Sequence, residues 1–414
     1  MKGCFNMLQG NLVVGQSGGP TAAINASLCG VIEGAMASGF DGKILGMVHG
    51  IEGLLKENFI DLGEIFADPA DREKLVKTPS AYLGSCRKKL AKPEVDPTDY
   101  NAAFEVFKKH NIRYFLYIGG NDSMDTVYRL SEYAKKIDYD ICIMGVPKTI
   151  DNDLNVTDHC PGYGSAAKFI ATAIREMARD TRVYDMNSVL IVEIMGRNAG
   201  WLAAASALAR GEGHPSPELI YLPEAPFKMD EFLEDVDALV KQKKVVIVAI
   251  SEGIRDENGV YVCESTASGA VDVFGHKYLS GAGKVLENAV RDKLGYKARA
   301  VELNVFQRCA AHLASKTDLT ESRAVGKAAA EAAISGMTGR MMAYVRESTN
   351  PYKLSVAPCD IAEAANIEKM VPREWLNERG NDVTEEFVAY ARPLIEGESY
   401  PEYEDGLPVH IIRP

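Results

Sequence analysis

The 414 residues are enough for two domains, and 46% hydrophobic with 25% charged content is the balance of an ordinary soluble globular protein. A net charge of −12 would repel nucleic acid and anionic membranes from most of the surface, which excludes general binding to either, although local Arg and Lys can still hold phosphate. The eight cysteines (Cys4, Cys29, Cys86, Cys142, Cys160, Cys263, Cys309 and Cys359) show no C-x-x-C or zinc-type spacing and read as reduced thiols. With no secretory leader or membrane-length apolar run, a cytoplasmic protein is expected.

In chain order, Leu12 to Val14 predicts a short strand running into QSGGPTAAINASLCGVIEGAMASG, a glycine turn followed by an Ala- and Ile-rich helix. Amides at Gly18 and Gly19 facing a helix start can receive an anionic oxygen, though alone the motif is as readily a bare turn. Lys56 to Asp71 reads as surface elaboration. Tyr114 to Ile118 predicts a second strand that also ends in two glycines and a helix, GGNDSMDTVYRL.

The apolar run Ile141 to Val146 then delivers PKTIDND, Pro147 to Asp153. Here a carboxylate can take a hydroxyl proton, another can hold a divalent cation, and Lys148 can offset phosphate charge. Taken alone, the same residues also suit an Asp/Asn turn closing a strand. Further along, a helix is predicted over Ser165 to Arg179 and strands over Ser188 to Met195, Glu218 to Leu222, Val245 to Ile250 and Ala298 to Leu303. Met229 to Gln242 and Gly283 to Leu294 are amphipathic. This alternation predicts an α/β protein of two doubly wound lobes, mainly parallel sheets flanked by helices, with a C-terminal elaboration. The acidic stretch Glu396 to Asp405 reads as a solvated face.

Taken together, SGGP, LGSCR, GGNDS, PKTIDND, MGR, SEG and a late FQR resemble the phosphofructokinase family in order and spacing across roughly the first four fifths of the chain. The resemblance implies a donor lobe over 1–162, with about 309–340 returning to it, and a sugar-phosphate lobe over 163–308 joined by about 341–414. It implies that Asp151 accepts the proton of the 1-hydroxyl of fructose 6-phosphate and Thr149 steadies the transferring group. Asp153 falls near Mg²⁺, where Asn121 replaces the usual aspartate and offers a carbonyl without charge. Gly18 and Gly19 fall on the phosphate loop and Arg87 on its arginine. Met195, Gly196, Arg197, Glu252, Arg299 and Arg308 fall on sugar-phosphate positions, while Val305 replaces a usual histidine or tyrosine. One arginine is expected to reach a neighbouring subunit, so a homodimer or homotetramer is implied.

Asp122 and Lys148 stand where ATP-using relatives have glycine, and this pair is typical of the pyrophosphate-dependent branch. An anion at Asp122 obstructs the path of a nucleotide, and a cation at Lys148 suits a short anhydride. The implied reaction is reversible phosphoryl transfer from pyrophosphate to fructose 6-phosphate with Mg²⁺, in glycolysis and gluconeogenesis. Alternatives are ATP as donor, sedoheptulose 7-phosphate as acceptor, or a silent regulatory subunit that keeps the sugar site. Cys29 and Glu33 stand at positions where bacterial relatives carry effector-binding arginines, so little regulation of that kind is expected.

Overall fold

Strands whose residues are apolar without alternation are buried on both faces, as parallel strands covered by helices must be. The computed structural model describes residues 7–265 and 281–413, so Cys4 lies outside them. The first sheet contains β1 (Asn11–Gln16), β2 (Ile44–Met47), β3 (Phe59–Asp61), β4 (Ile112–Gly119) and β5 (Cys142–Pro147). The second contains β6 (Ser188–Ile194), β7 (Leu219–Tyr221), β8 (Val245–Ser251) and β9 (Lys297–Glu302). Two late strands, β10 (Arg340–Thr349) and β11 (Tyr352–Asp360), complete the first sheet in the order β11-β10-β5-β4-β1-β2-β3.

The second sheet runs β7-β8-β6-β9 and is parallel throughout. In the first, β2, β1, β4, β5 and β10 are parallel, and antiparallel β3 and β11 close its two edges. Each sheet has a core on both faces. Leu12, Val14, Leu116 and Met144 face one side of the first sheet, and Val13, Phe115, Tyr117 and Ile143 the other. The C-terminal ends of β1, β4 and β5, and of β6, β8 and β9, open into polar loops, the usual ligand-binding edge of such sheets.

Two expectations are corrected. Of the segment 341–414 expected in the second lobe, residues 341–360 join the first sheet instead, because β10 pairs with β5 and carries buried Met341, Met342, Ala343 and Tyr344 into the first core. Lys56 to Asp71 is not merely surface elaboration, since β3 pairs with β2 and Leu62 and Phe66 are fully buried. The Glu396 to Asp405 stretch is packed at its start, where Lys168 Nζ donates to Gly397 O (2.6 Å) and meets Glu398 (2.9 Å). Beyond that, residues 402–406 are exposed.

Helix Ile24–Ala37, which follows the SGGP turn, lies against helix Lys316–Ile334 with backbones nearly touching. A Cβ on Gly30 would meet Arg323 O at 2.0 Å, and one on Gly326 would meet Ser27 O at 2.0 Å. Gly30→Ala therefore forces the helices apart, at a cost of about 3 kcal/mol by overpacking. The expected result is a lower thermal unfolding midpoint, with Gly39→Ala, which meets nothing within 4 Å but lies at φ +68°, as a control for backbone strain alone.

Candidate active site

The turn after β5 is built around Lys148. Its N–H continues the strand by donating to Gly119 O (2.9 Å), and its side chain, 3% exposed, donates Nζ to Gly19 O (2.8 Å) across the cleft floor. Gly18 sits at φ +74°, a conformation that favours glycine, and a Cβ there would lie 3.1 Å from Lys148 Nζ. Burial brings the ammonium down to about 8, against the pull of Asp151 and Asp153.

Asp151 is held by Thr149, whose hydroxyl accepts from Asp151 N (3.1 Å) and donates to Oδ2 (3.4 Å). Burial raises the Asp151 carboxyl, and Lys148 works in the opposite direction. Asp153 is likewise raised by burial and by the neighbouring charges of Asp151 and Glu368. It accepts from Asn121 Nδ2 (3.2 Å), while Asn121 Oδ1 is buried without a hydrogen-bond partner.

These are hard oxygen donors with one orphaned carbonyl, a set that suits a divalent cation. Among the described residues no group of three or more His, Cys, Asp or Glu is arranged for a metal. A cation here would complete its shell with water and phosphate oxygens, as Mg²⁺ commonly does.

The opposite wall comes from the second sheet. Arg197 has a buried Nε without a partner, and Glu252 accepts from Gly196 N (3.4 Å) and is raised by burial to about 7. Gln307 Oε1 accepts from Met195 N (3.3 Å), which ties the loop after β9 to the loop after β6. The cleft between the walls is about 640 Å³. Gly18, Gly19, Arg87, Asp122, Lys148, Thr149, Asp151, Met195, Arg197, Glu252, Val305 and Arg308 all line it.

Gly196, Asn121 and Asp153 are not part of this lining. Arg299 points elsewhere, exposed on edge strand β9. Arg182 is occupied with Ser216 (2.6 Å) and Glu218 (3.0 Å), and Glu33 pairs with Arg323 and Arg72.

Further residues share the cleft that motif reasoning did not single out. Gln307 lies inside FQR, and Glu193 is the one charged residue in the apolar run of β6, so both carried a local signal. Lys89 forms an ion pair with Asp122 (2.9 Å) that no spacing predicts. The C-terminal segment also reaches the turn after β5. Tyr390 Oη accepts from buried Asn152 Nδ2 (3.0 Å) and donates to Asp158 O (2.8 Å).

Two parallel-sheet units meeting over a cleft of arginines, an ammonium and paired carboxylates define a site for phosphorylated substrates. The chain belongs to the phosphofructokinase family, whose pattern matches residues 11–333. It is 43% identical over 404 residues to "Pyrophosphate--fructose 6-phosphate 1-phosphotransferase" of Methylococcus capsulatus, covering 97% of this chain and 95% of that protein. It is 44% identical over 408 residues to the protein of the same name from Xanthomonas campestris pv. campestris, covering 98% and 96%. Among solved structures, the pyrophosphate-dependent phosphofructokinase of Marinobacter aquaeolei aligns with a TM-score of 0.86 and 40% identity over 97% of this chain and 95% of that one.

Proposed function

We propose that the protein transfers a phosphoryl group from pyrophosphate to the 1-hydroxyl of D-fructose 6-phosphate, giving fructose 1,6-bisphosphate and phosphate. The observation that carries this reading is Lys148, a buried ammonium laid against the Gly18-Gly19 turn, with the Asp122 carboxylate among the residues around the same cleft. A compact cation there recognises a short anhydride, and an anion in the cleft disfavours a bulky polyphosphate tail. The full-length relatives named for this reaction support it.

In this reading Asp151 accepts the proton of the 1-hydroxyl, as a raised carboxyl close to a cation can do near neutral pH. Thr149 fixes its rotamer. Lys148, Arg87 and the Gly18 and Gly19 backbone hold the phosphates in line, while Arg197, Glu252, Met195 and Arg308 hold the sugar phosphate. Asp153 and Asn121 would hold Mg²⁺, which when bound offsets charge on the phosphates. Exposed Arg299 would serve the cleft of a neighbouring copy in a homodimer or homotetramer. We read the protein as a cytoplasmic enzyme working reversibly between glycolysis and gluconeogenesis.

The test is initial rate with fructose 6-phosphate and Mg²⁺, with pyrophosphate or ATP supplied separately. Turnover with pyrophosphate alone is expected. Turnover with ATP alone would overturn the donor, and fructose 6-phosphate binding without any turnover would favour the silent subunit.

A pH profile gives a second check. Lys148 is cationic below about 8 in the free protein and loses its proton above it. Since kcat/KM reports the free enzyme, kcat/KM for pyrophosphate is expected to fall as pH rises through about 8. Lys148→Arg should remove that limb, whatever its effect on the plateau rate. A profile that stays flat to pH 10 in the unsubstituted protein would show that this ammonium does not govern donor capture.

A further inference from the structure

The family match ends at residue 333, yet a four-residue strap far beyond it, Glu368 to Val371, lies between the two walls of the cleft. On one side Lys369 N donates to Asp153 O (2.8 Å), and Lys369 Nζ donates to Thr157 O (2.9 Å) and Asp158 O (2.8 Å). Leu154 and Glu368 form a bridge of antiparallel type beside them. These contacts hold the turn that carries Asp151 and Asp153.

The other side of the strap holds the loop that carries Arg197. Asn198 Nδ2 donates to both oxygens of Glu368 (3.0 and 3.2 Å), and Trp201 Nε1 donates to Lys369 O (2.7 Å). Lys369 Nζ also lies 5.2 Å from the centre of the Trp201 ring. Glu224 Oε1 accepts from both Gly200 N (2.8 Å) and Val371 N (3.0 Å), closing the connection. The loops themselves leave different sheets, so nothing in either sheet's ladder fixes the distance between them.

We propose that Lys369 is a positioning residue for phosphoryl transfer, tying the Asp151–Asp158 turn to the Arg197–Trp201 loop so that base and sugar-phosphate wall keep their spacing. This rests on the reading of the cleft given above. Lys369 is not among the residues that line the cleft, and it acts through backbone carbonyls on one wall and an indole on the other. In-line transfer needs reacting atoms within roughly 3–3.5 Å, and a shift of about 1 Å costs on the order of 100-fold.

The test uses full-length Lys369→Met and Lys369→Arg. Lys369→Met is expected to lower kcat with pyrophosphate about 100-fold while the fructose 6-phosphate Kd, from calorimetry, changes less than about 3-fold. Lys369→Arg, which keeps donors, should recover at least about 10-fold of that loss. Amide exchange in residues 151–159 and 195–201 should quicken in Lys369→Met. A folded Lys369→Met with kcat within about 3-fold of the unsubstituted protein overturns the proposal. So does parallel loss of binding and stability that arginine fails to restore, which marks a purely structural role.

Should Lys369→Met not fold, Asn198→Asp, which keeps the acceptor for Arg255 Nη2 (3.0 Å), and Glu368→Ala each cut the exposed tie. Each is expected to lower kcat about 5-fold, and together no more than about 5-fold, because they remove one connection. No loss, or an additive loss of about 25-fold, goes against the strap. An unsubstituted protein inactive with pyrophosphate would overturn the reading of the cleft instead. The exchange measurement needs no turnover, and unchanged exchange would still overturn the tie.

Discussion

Asp151→Asn is expected to leave a folded protein that binds both substrates and turns over about 10³-fold more slowly, near 4 kcal/mol of barrier. The amide has the shape of the carboxyl and still accepts from the Thr149 hydroxyl, so the geometry of the turn survives. It cannot take the proton of the attacking hydroxyl. The substitution has a second signature that a mere packing change lacks. The Asp151 charge helps keep Lys148 protonated against its burial, so removing it should move the alkaline limb of pyrophosphate capture below about 8. Rapid-quench turnover with calorimetric binding reads both effects. Retention of more than about a tenth of kcat would remove Asp151 as the base.

The donor pair gives the second large effect. Lys148→Gly takes the cation from the Gly18-Gly19 turn and is expected to reduce turnover with pyrophosphate by about 10² to 10³-fold, the range for losing one preorganised charged contact. Asp122→Gly added to it removes the anion from the cleft and also releases Lys89, its ion-pair partner, as a free cation. The double variant should gain at least about 10-fold in kcat/KM for ATP, because the repulsion and bulk at the polyphosphate path are both gone. Steady-state rates with each donor decide this. If Lys148→Gly keeps pyrophosphate turnover within about 10-fold, the buried lysine is a structural feature of the turn.

Much of the fold was legible because buried parallel strands need uninterrupted apolar runs, and YFLYI, SVLIVEIM and Val245 to Ile250 supply them. The loops that follow were legible because glycine turns, an Asp-rich turn and arginines recur at strand ends, the only edge from which they can converge. The strands towards the two ends of the first sheet were not. β3 is three half-buried residues in a polar stretch, and β10 turns from buried to alternating halfway along, so neither reads as core. The contacts that complete the site were hidden for another reason. Lys369 reaches the carbonyl of Thr157 across 212 residues and Tyr390 reaches Asn152 across 238. Such bonds run from a side chain to a distant loop, and no local spacing encodes them.

The late arrival of β10 and β11 in the first sheet bears on how the chain matures as it leaves the ribosome. Domains assemble in the order in which they are made, and here Asn11 to Pro147 can form its four parallel strands long before their neighbour β10 exists. Until then β5, the strand that delivers Lys148 and Asp151, is an open edge with Met144 and Val146 in need of cover. The strap that spans the cleft is made later still. Between the making of β5 and that of β10 the nascent chain thus carries an unguarded strand that a chaperone or a second chain could occupy.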